Sequence, residues 1–492
     1  MRKKGFRFRN PLPVGTLHPE PCILNPVNSP MAGIGFQLKK LSRHQSLEGI
    51  LRAYSFAGLI SSGPWIISIL ALLVLTYFLR PLLGKRDLDL FSATITHVYA
   101  FSLILVGPLQ LVLTRHAADR FFTKSSDSIF PACYGALALT AGLSALAGGC
   151  FFPAAVPGLL FHQIAATALF ILVSCIFIVS NYLNALQNYQ SVVTAFAIGY
   201  AAACSLALLG ALWAGPAAVL PGFVAGHGLL LVWLIRCLHV EFGRPGPGAR
   251  SAWDFLAYFR RFPALALGGF FYSMGIWADK LVFWWFSSSR QEIVPGGLLF
   301  AAPQYDTAVY LSFLSMVPGM AVFFLKLETE FAGKYAAFFS AIEDHGSLAR
   351  IEAAKQAVIL TLRRGLVHLL KIQGLVTVFL VVFAHPIAHA AGIGSIQTGI
   401  FQVTLFGAFL LVGFLSLLTI LFYFDDQRGV LIASATFAVL NLGLSLPTIL
   451  MNEAWYGFGF VVAAGLALLI VVHRVNHHTA RMEERVFGSS SN

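Results

Sequence analysis

The sequence predicts an all-α protein that crosses a membrane about 12 times, as two pseudo-symmetric six-helix bundles around a central cavity. Two observations predict the membrane class. Of 492 residues, 58% are hydrophobic and only 11% are charged, whereas soluble domains carry about 25% charged residues. The apolar residues also fall in blocks of about 20, the length that crosses a hydrocarbon core of about 30 Å. A third observation, a repeat of proline-containing spans, predicts the two bundles.

The apolar blocks predict twelve spans, and because twelve is even, both termini share one side of the membrane. The spans are expected near residues 55–79, 93–113, 130–150, 163–181, 192–213, 217–235, 263–286, 305–325, 365–385, 401–422, 429–450 and 455–473.

The distribution of Lys and Arg predicts which side that is. With cytoplasmic termini, four of the 33 Lys and Arg residues lie in outer loops, namely Arg80, Lys85, Arg86 and Arg290, and Lys280 lies within a span. All others lie in inner segments, as the positive-inside rule requires. The net charge of +12 is therefore explained by topology, and nucleic-acid binding is not expected.

The chain divides into bundles and connecting segments. We expect an extension at 1–30, a first bundle at 31–235, a cytoplasmic linker at 236–262, a second bundle at 263–474 with a cytoplasmic amphipathic segment at 326–364, and a cytoplasmic tail at 475–492. The polar, Pro-rich extension has no apolar core of a secretory signal. It is expected to be disordered, or to precede a true start at Met31 rather than Met1.

Proline-containing spans recur at a common offset. Pro108 lies in the second span and Pro318 in the eighth, and the same offset places the first span on the seventh. Two halves in the same orientation are typical of transporters whose pathway lies between the halves. Helix kinks are expected at both prolines and at Pro64, whose "SSGPW" stretch predicts a break that exposes backbone carbonyls to a cavity.

A pair of ionisable residues lies within the seventh span, in "GIWADKLVFWWF" (275–286). Neighbours on a helix point about 100° apart, so the positions of Asp279 and Lys280 do not by themselves predict a pair. Snorkelling to the outer surface explains Lys280, which shares a face with Trp277. A carboxylate in mid-bilayer costs about 3 kcal/mol unless it faces water or a partner. Asp279 is therefore expected to line the cavity or to pair with another span.

Further candidates follow from position. The residues expected along the transport pathway are Asp279, Lys280, Trp277, Ser61, Ser62, Trp65, Asp306 and Tyr305, although simple helix capping also explains Asp306. The residues expected at a cytoplasmic gate or docking surface are Arg115, Glu328, Tyr335, Phe338 and Phe339. The last three recur at helical spacing, which indicates either packing on the transporter itself, the favoured interpretation, or a docking face for a partner.

The sequence offers no enzymatic motif. It contains neither GxxxxGK[ST], nor HExxH, nor a nucleophile elbow, and its short outer loops carry few charges. The six Cys residues show no CxxC spacing, so neither disulfides nor metal are indicated. No catalytic residue, metal or cofactor is expected.

Several segments resemble one family. "LRAYSFAGLISSGPWIISI", "GIWADKLVFWWF", "YDTAVYLSFLSMVPGMAVFFLKLETEF" and "IEAAKQAVILTLRRG" look like the Pel exopolysaccharide export proteins of the PelG family, within the multidrug/oligosaccharidyl-lipid/polysaccharide flippase superfamily. The resemblance runs from Met31 to the last span. It implies two six-helix bundles, and transport of a cationic, amino-sugar-rich polysaccharide across a bacterial inner membrane in biofilm formation. It also implies partners: a cytoplasmic glycosyltransferase and other inner-membrane components.

Three hypotheses remain. The leading one is a polysaccharide translocator that works with a synthase complex. An ion-coupled exporter of small molecules or lipid-linked oligosaccharides would need a protonatable carboxylate, so Asp279→Asn should abolish its transport. A scaffold for cytoplasmic enzymes is the third, and the expected breaks in spans one, two and eight argue against it.

Overall fold

A computed structural model describes residues 47–123, 128–185, 188–242, 251–390, 392–482 and 484. The expectations for the extension at 1–30, and for all but the beginning of the tail at 475–492, lie outside these residues. The described chain is helical almost throughout, because a backbone in hydrocarbon must satisfy its hydrogen bonds within the segment.

Six long helices form the first part of the chain. They are α1 (Leu47–Leu79), α2 (Lys85–Phe122), α3 (Ile129–Ala155), α4 (Leu160–Ala185), α5 (Tyr189–Ala214) and α6 (Val219–Phe242), and a short 3₁₀ turn at Pro216–Ala218 precedes the last.

The second part is more broken. It contains α7 (Leu256–Arg261), α8 (Pro263–Phe286), α9 (Pro303–Leu314), α10 (Val317–Lys326), a π-helical turn at Leu327–Phe331, α11 (Ala332–Glu343), α12 (Leu348–Val382), α13 (Ala384–Ala390), α14 (Ser395–Tyr423), α15 (Gln427–Leu450), a 3₁₀ turn at Glu453–Trp455 and α16 (Phe458–Ala480). Two short antiparallel strands, β1 (Gln291–Glu292) and β2 (Phe300–Ala301), form a hairpin between α8 and α9.

The membrane class is confirmed. Among the described residues, ten helices are long and apolar enough to cross a membrane, and α1 adds the shorter apolar stretch Gly63–Leu79. Helix α8 has 24 residues, enough for about 36 Å, but it falls outside the ten and carries Asp279 and Lys280. These elements together cover all twelve expected spans.

The buried apolar side chains form two large cores. One is drawn from α1 to α6, with Phe255, Val294 and Leu299 added from the second part. The other runs from the middle of α8 to the end of α16, with Ala100 added from the first part. Each core therefore packs the helices of its own half, and a separate set of contacts joins the two halves. The exact domain boundaries at 235 and 263 remain a prediction.

The two parts meet at reciprocal pairs of helices. Helix α2 packs on α8, and α10 packs on α1, so the second span of each half touches the first span of the other. The α2–α8 crossing depends on Gly107 and Gly269, because a Cβ on Gly107 would lie 2.6 Å from the Gly269 carbonyl oxygen. Small residues at such crossings let two membrane helices approach closely.

The helix is interrupted at one of the three prolines. Helix α1 continues through Pro64 and α2 through Pro108, so the predicted break at "SSGPW" is wrong, while kinks within the continuous helices stay predictions. At Pro318 the chain does break, between the end of α9 at Leu314 and the start of α10 at Val317. Neighbouring helices can support a proline inside a membrane helix, whereas Pro318 takes the second position of a new helix, where its missing N–H is harmless.

The described residues of the two long inner segments pack against the helices. Within the expected linker, Phe255 is fully buried in the first core, and Arg120 of α2 binds Asp254. The segment 326–364 is helical as predicted, and its second half continues without interruption into the ninth span as α12.

We expect Gly107→Ala to destabilise the fold, because the new methyl group would press against the backbone of α8. Overpacking of this kind costs about 1–3 kcal/mol. Thermal unfolding of the purified protein in detergent measures it, with Gly142→Ala as the control, since a Cβ at Gly142 meets nothing within 4 Å. An equal midpoint for both variants would contradict the tight crossing.

Candidate functional site

A buried polar cluster surrounds Asp279 in the second core. Its carboxylate is fully buried and accepts hydrogen bonds from Tyr305 of α9 at 2.7 Å and from Asn441 of α15 at 3.2 Å. Asn441 also donates to the carbonyl oxygen of Gly275 at 2.9 Å. Three helices are therefore joined at one carboxylate, which fits the predicted pairing of Asp279 with other spans.

Lys280 departs from the prediction. Its side chain is 1% exposed and turns back along α8, so that Nζ donates to the Ile276 carbonyl oxygen at 2.9 Å and to Asp279 Oδ1 at 3.1 Å. The snorkelling explanation is therefore wrong, and the pairing that helical geometry left open is present. A flexible four-carbon stem crosses the 100° between neighbours, and burial leaves the ammonium no better partner than the adjacent carboxylate.

Aromatic rings complete the surroundings of the ammonium group. Nζ lies 4.7 Å from the ring centroid of Phe313, 5.8 Å from that of Trp277 and 5.9 Å from that of Phe460. Cation–π attraction reaches about 6 Å, so the predicted contact with Trp277 is present. The charge is thus balanced by one carboxylate and three ring faces, with no need for water.

A second carboxylate lies one turn nearer the predicted outer side. Asp306 accepts hydrogen bonds from the Trp284 indole, at 3.0 Å to both oxygens, and from the Ala302 N–H at 3.1 Å. It therefore caps the start of α9, as the capping alternative had it, and also fixes Trp284. That indole stacks on His97 of α2, with ring centroids 4.3 Å apart, so the arrangement reaches the first half.

The remaining pathway candidates are less informative. Trp65 is 36% exposed on α1 and does not join the Asp279 cluster. The side chains of Ser61, Ser62 and Glu328 lie outside the described part of the structure. Their assigned roles stay predictions.

On the predicted cytoplasmic side an ion pair joins the halves. Arg115 of α2 binds Asp425, in the turn between α14 and α15, at 2.9 Å, and its guanidinium lies 5.1 Å from the Phe262 ring centroid. Tyr189 of α5 meets Phe324 of α10 edge to face nearby. Solvation at a helix end therefore does not account for Arg115, and its position fits a gate.

The other gate or docking candidates pack inside the second half. Phe338 is fully buried and Phe339 nearly so, while the Tyr335 hydroxyl donates to the Tyr423 carbonyl oxygen at 2.7 Å. This agrees with the favoured interpretation, in which the apolar face of segment 326–364 packs on its own transporter.

On the opposite side a hairpin joins the halves. Residues 287–302 follow α8, and the Leu298 N–H donates to the Ala154 carbonyl oxygen at the end of α3. Leu299 and Val294 of this hairpin are buried within the first core. The halves are therefore in contact on both predicted sides of the membrane.

Sequence analysis did not find three important features: Asn441, His97 and the hairpin anchor. Asn441 could have been found, because an amide in the middle of an apolar span calls for a partner. His97 and Leu299 carry no such signal, since their roles depend on which helix of the other half lies opposite. Among the described residues, no three His, Cys, Asp or Glu side chains come together as a metal site would require.

The family model for PelG, described as "Putative exopolysaccharide Exporter (EPS-E)", matches residues 31–487. The chain belongs to the PelG family. The ten apolar helices and the family together make it a multi-pass inner-membrane protein. No curated protein matches the chain.

Solved structures place the PelG-family chain in a known transporter fold. It is similar to an outward-facing multidrug resistance MATE family transporter of the MOP superfamily, with 12% identity and a TM-score of 0.61 over 87% of this chain and 96% of the other. It is also similar to a MOP superfamily transporter from Pyrococcus furiosus, with 11% identity and a TM-score of 0.62 over 92% of this chain and 97% of the other. At such identities the likeness shows the fold alone.

We expect Asp279→Asn to destabilise the protein more than the double variant Asp279→Asn, Lys280→Met. The single change leaves the Lys280 ammonium buried without its carboxylate, and breaking a buried pair costs about 3–5 kcal/mol. The double change removes both charges. Thermal unfolding in detergent measures the difference; a double variant no more stable than the single one would show that Lys280 does not depend on Asp279.

A third carboxylate organises the predicted cytoplasmic side. Asp426 caps α15 through the Gly429 N–H, and it accepts hydrogen bonds at 2.7 Å from both Arg474 and His478 of α16. Burial by itself would raise the pKa of Asp426, but the hydrogen bonds from His478, Arg474 and Gly429 lower it below its usual range.

This lowered pKa predicts a loss of stability in acid. A carboxyl group whose pKa is lower in the folded state contributes stability above its unfolded pKa of about 3.9, and that contribution is lost as the pH falls further. Between pH 5 and pH 3 the unfolding midpoint of the natural chain should fall more than that of Asp426→Asn. Parallel decreases would exclude Asp426 as the source.

Proposed function

We propose that this chain moves an exopolysaccharide across the inner membrane through a pathway between its two halves. The observation that carries the proposal is the pattern of contacts between the halves. Among the described residues, those at the predicted cytoplasmic side include the Arg115–Asp425 ion pair, the Tyr189–Phe324 ring contact and the packing of Ala57 on Leu325. Those at the other side include the hairpin and the stacks of Trp284 on His97 and of Trp285 on Phe101. Such contacts can break at one side while each core stays intact.

The finer assignment follows from the family. We propose that the polymer is a Pel-type, amino-sugar-rich exopolysaccharide, delivered by a cytoplasmic glycosyltransferase as part of biofilm matrix production. Cytoplasmic termini, as the Lys and Arg distribution predicts, would put the Arg115–Asp425 pair on the side where polymer arrives. Opening of that pair would then be the entry step.

An ion-coupled exporter is the second candidate, and the Asp279 cluster argues against it. A coupling carboxylate must take up and release a cation, yet both oxygens of Asp279 are already engaged by Lys280, Tyr305 and Asn441. Protonation would remove the counter-charge of a buried ammonium group. A structural role for the pair follows more directly from this geometry than a coupling role.

The scaffold hypothesis requires an accessible docking surface. The segment 336–352 is a candidate docking surface on this hypothesis. Its deletion would not test the hypothesis, because the deletion removes Phe338, Phe339 and Ile351 from the second core. Leu348, which is 70% exposed at the start of α12, allows a milder test. On the scaffold hypothesis Leu348→Ser should release cytoplasmic enzymes, whereas on the transport proposal it should leave polymer translocation intact.

The deciding experiment uses proteoliposomes with the cytoplasmic face outward. The glycosyltransferase and its sugar nucleotide are supplied outside, and polymer in the lumen is measured by its protection from an added glycosidase. We expect protected polymer in vesicles that contain the natural chain or its Asp279→Asn, Lys280→Met variant. Vesicles that lack the chain should contain none.

Two outcomes would count against the proposal. Polymer that is made but stays outside correctly oriented vesicles, even with the other family components added, would refute translocation. Translocation that is lost in a well-folded double variant would instead favour ion coupling through Asp279.

A further inference from the structure

The hairpin between α8 and α9 has two different faces. In its register, Glu292 lies directly opposite Phe300, and cross-strand partners of this kind project from the same face. The alternate residue Leu299 is fully buried in the first core. One face of the hairpin therefore anchors it to the first half, and Glu292 and Phe300 project from the opposite face.

That second face borders a cavity of about 540 Å³. The cavity is lined by Trp285, Phe286, Ser287, Ser288, Arg290, Glu292 and Phe300. The cavity is open to the surface, and its lining combines three aromatic rings with hydroxyl, guanidinium and carboxylate groups. Trp285 also stacks on Phe101 of α2, so the cavity lies where the two halves meet.

The charged groups in this cavity are held in fixed positions. Arg290 donates to the Trp285 carbonyl oxygen and lies over the Phe300 ring, with 4.4 Å from Cζ to the centroid. Glu292 accepts the Gly296 N–H at 2.6 Å, and Gly296 has the positive φ of 72° that the hairpin turn needs. Each charged group is thus oriented by a hydrogen bond within this region, and such orientation lowers the entropic cost of binding a ligand.

We infer that this cavity binds pyranose rings of the exported polymer as it leaves the pathway. Aromatic faces suit the apolar face of a pyranose, and the neighbouring polar groups suit its hydroxyl and amino substituents. The carboxylate of Glu292 suits an amino substituent. Because Arg290 is engaged by the Trp285 carbonyl oxygen and the Phe300 ring and is balanced by Glu292, the cavity has no net positive charge that would favour a phosphate headgroup. The inference rests on the proposed function and names the substrate class and the residues at its outer end.

The test is oligosaccharide binding to the full chain in nanodiscs, measured by calorimetry. The probes are β-1,4-linked hexamers of glucosamine and of N-acetylglucosamine. The variants are Glu292→Gln and Phe300→Leu. Matched controls are Glu453→Gln and Phe458→Leu, a carboxylate and a partly exposed aromatic residue on the same predicted side.

We expect Glu292→Gln to weaken binding of the glucosamine hexamer about tenfold, the effect of one charge-assisted hydrogen bond. The same variant should change binding of the N-acetylated hexamer much less. Phe300→Leu should weaken binding of both probes, about fivefold or more, because it removes the aromatic face and keeps the apolar bulk. The two control variants should bind as the natural chain does, and all variants should keep its unfolding midpoint.

Three results would overturn the inference: no binding of either hexamer, binding that Glu292→Gln and Phe300→Leu leave unchanged, or equal losses in the controls. Retention of phosphatidylglycerol that rises in Glu292→Gln, without hexamer binding, would identify a lipid site instead. The vesicle experiment keeps the two proposals apart, since lumenal polymer without hexamer binding refutes only the exit site. Hexamer binding without lumenal polymer refutes only the transport proposal.

Discussion

The second half of the molecule depends on the hydrogen bonding of one buried carboxylate. Asp279 joins α8 to α9 through Tyr305 and to α15 through Asn441, and it balances the ammonium group of Lys280. In hydrocarbon such a carboxylate is tolerated only with partners, so the positions of three helices are fixed together. Nearer the outer side, Trp284 donates a hydrogen bond to Asp306 and stacks on His97 of the first half.

The two ends of the molecule close in different ways. An ion pair and aromatic edges close the predicted cytoplasmic side, and a hairpin anchored by apolar side chains closes the other. Between them the halves touch through the glycine crossing of α2 and α8. A transporter needs halves that are each stable and contacts that can separate, and this division of packing provides both. The MOP-type fold of the family is consistent with it.

The failed predictions share one cause. A break was expected at Pro64 because proline lacks an N–H, but α1 continues through it, as α2 continues through Pro108. Lys280 was expected to reach the outer surface because its stem is long enough, yet the same length lets it fold back to Asp279. Conversely, Phe338 and Phe339 pack inward as favoured, because an apolar helical face next to a core has little alternative. The local sequence allows a residue several conformations or partners, and tertiary contacts determine which of them forms.

By itself the sequence determined the membrane class, the number and approximate position of the spans, and the family, because apolar length and local motifs are properties of continuous segments. It also singled out Asp279, since a carboxylate in an apolar span demands a partner. Only the tertiary structure decided that the partners are Lys280, Tyr305 and Asn441, that Arg115 meets Asp425, and that Leu299 enters the other core. Apart from the adjacent Lys280, these contacts join residues far apart in the chain, and helix packing brings them together.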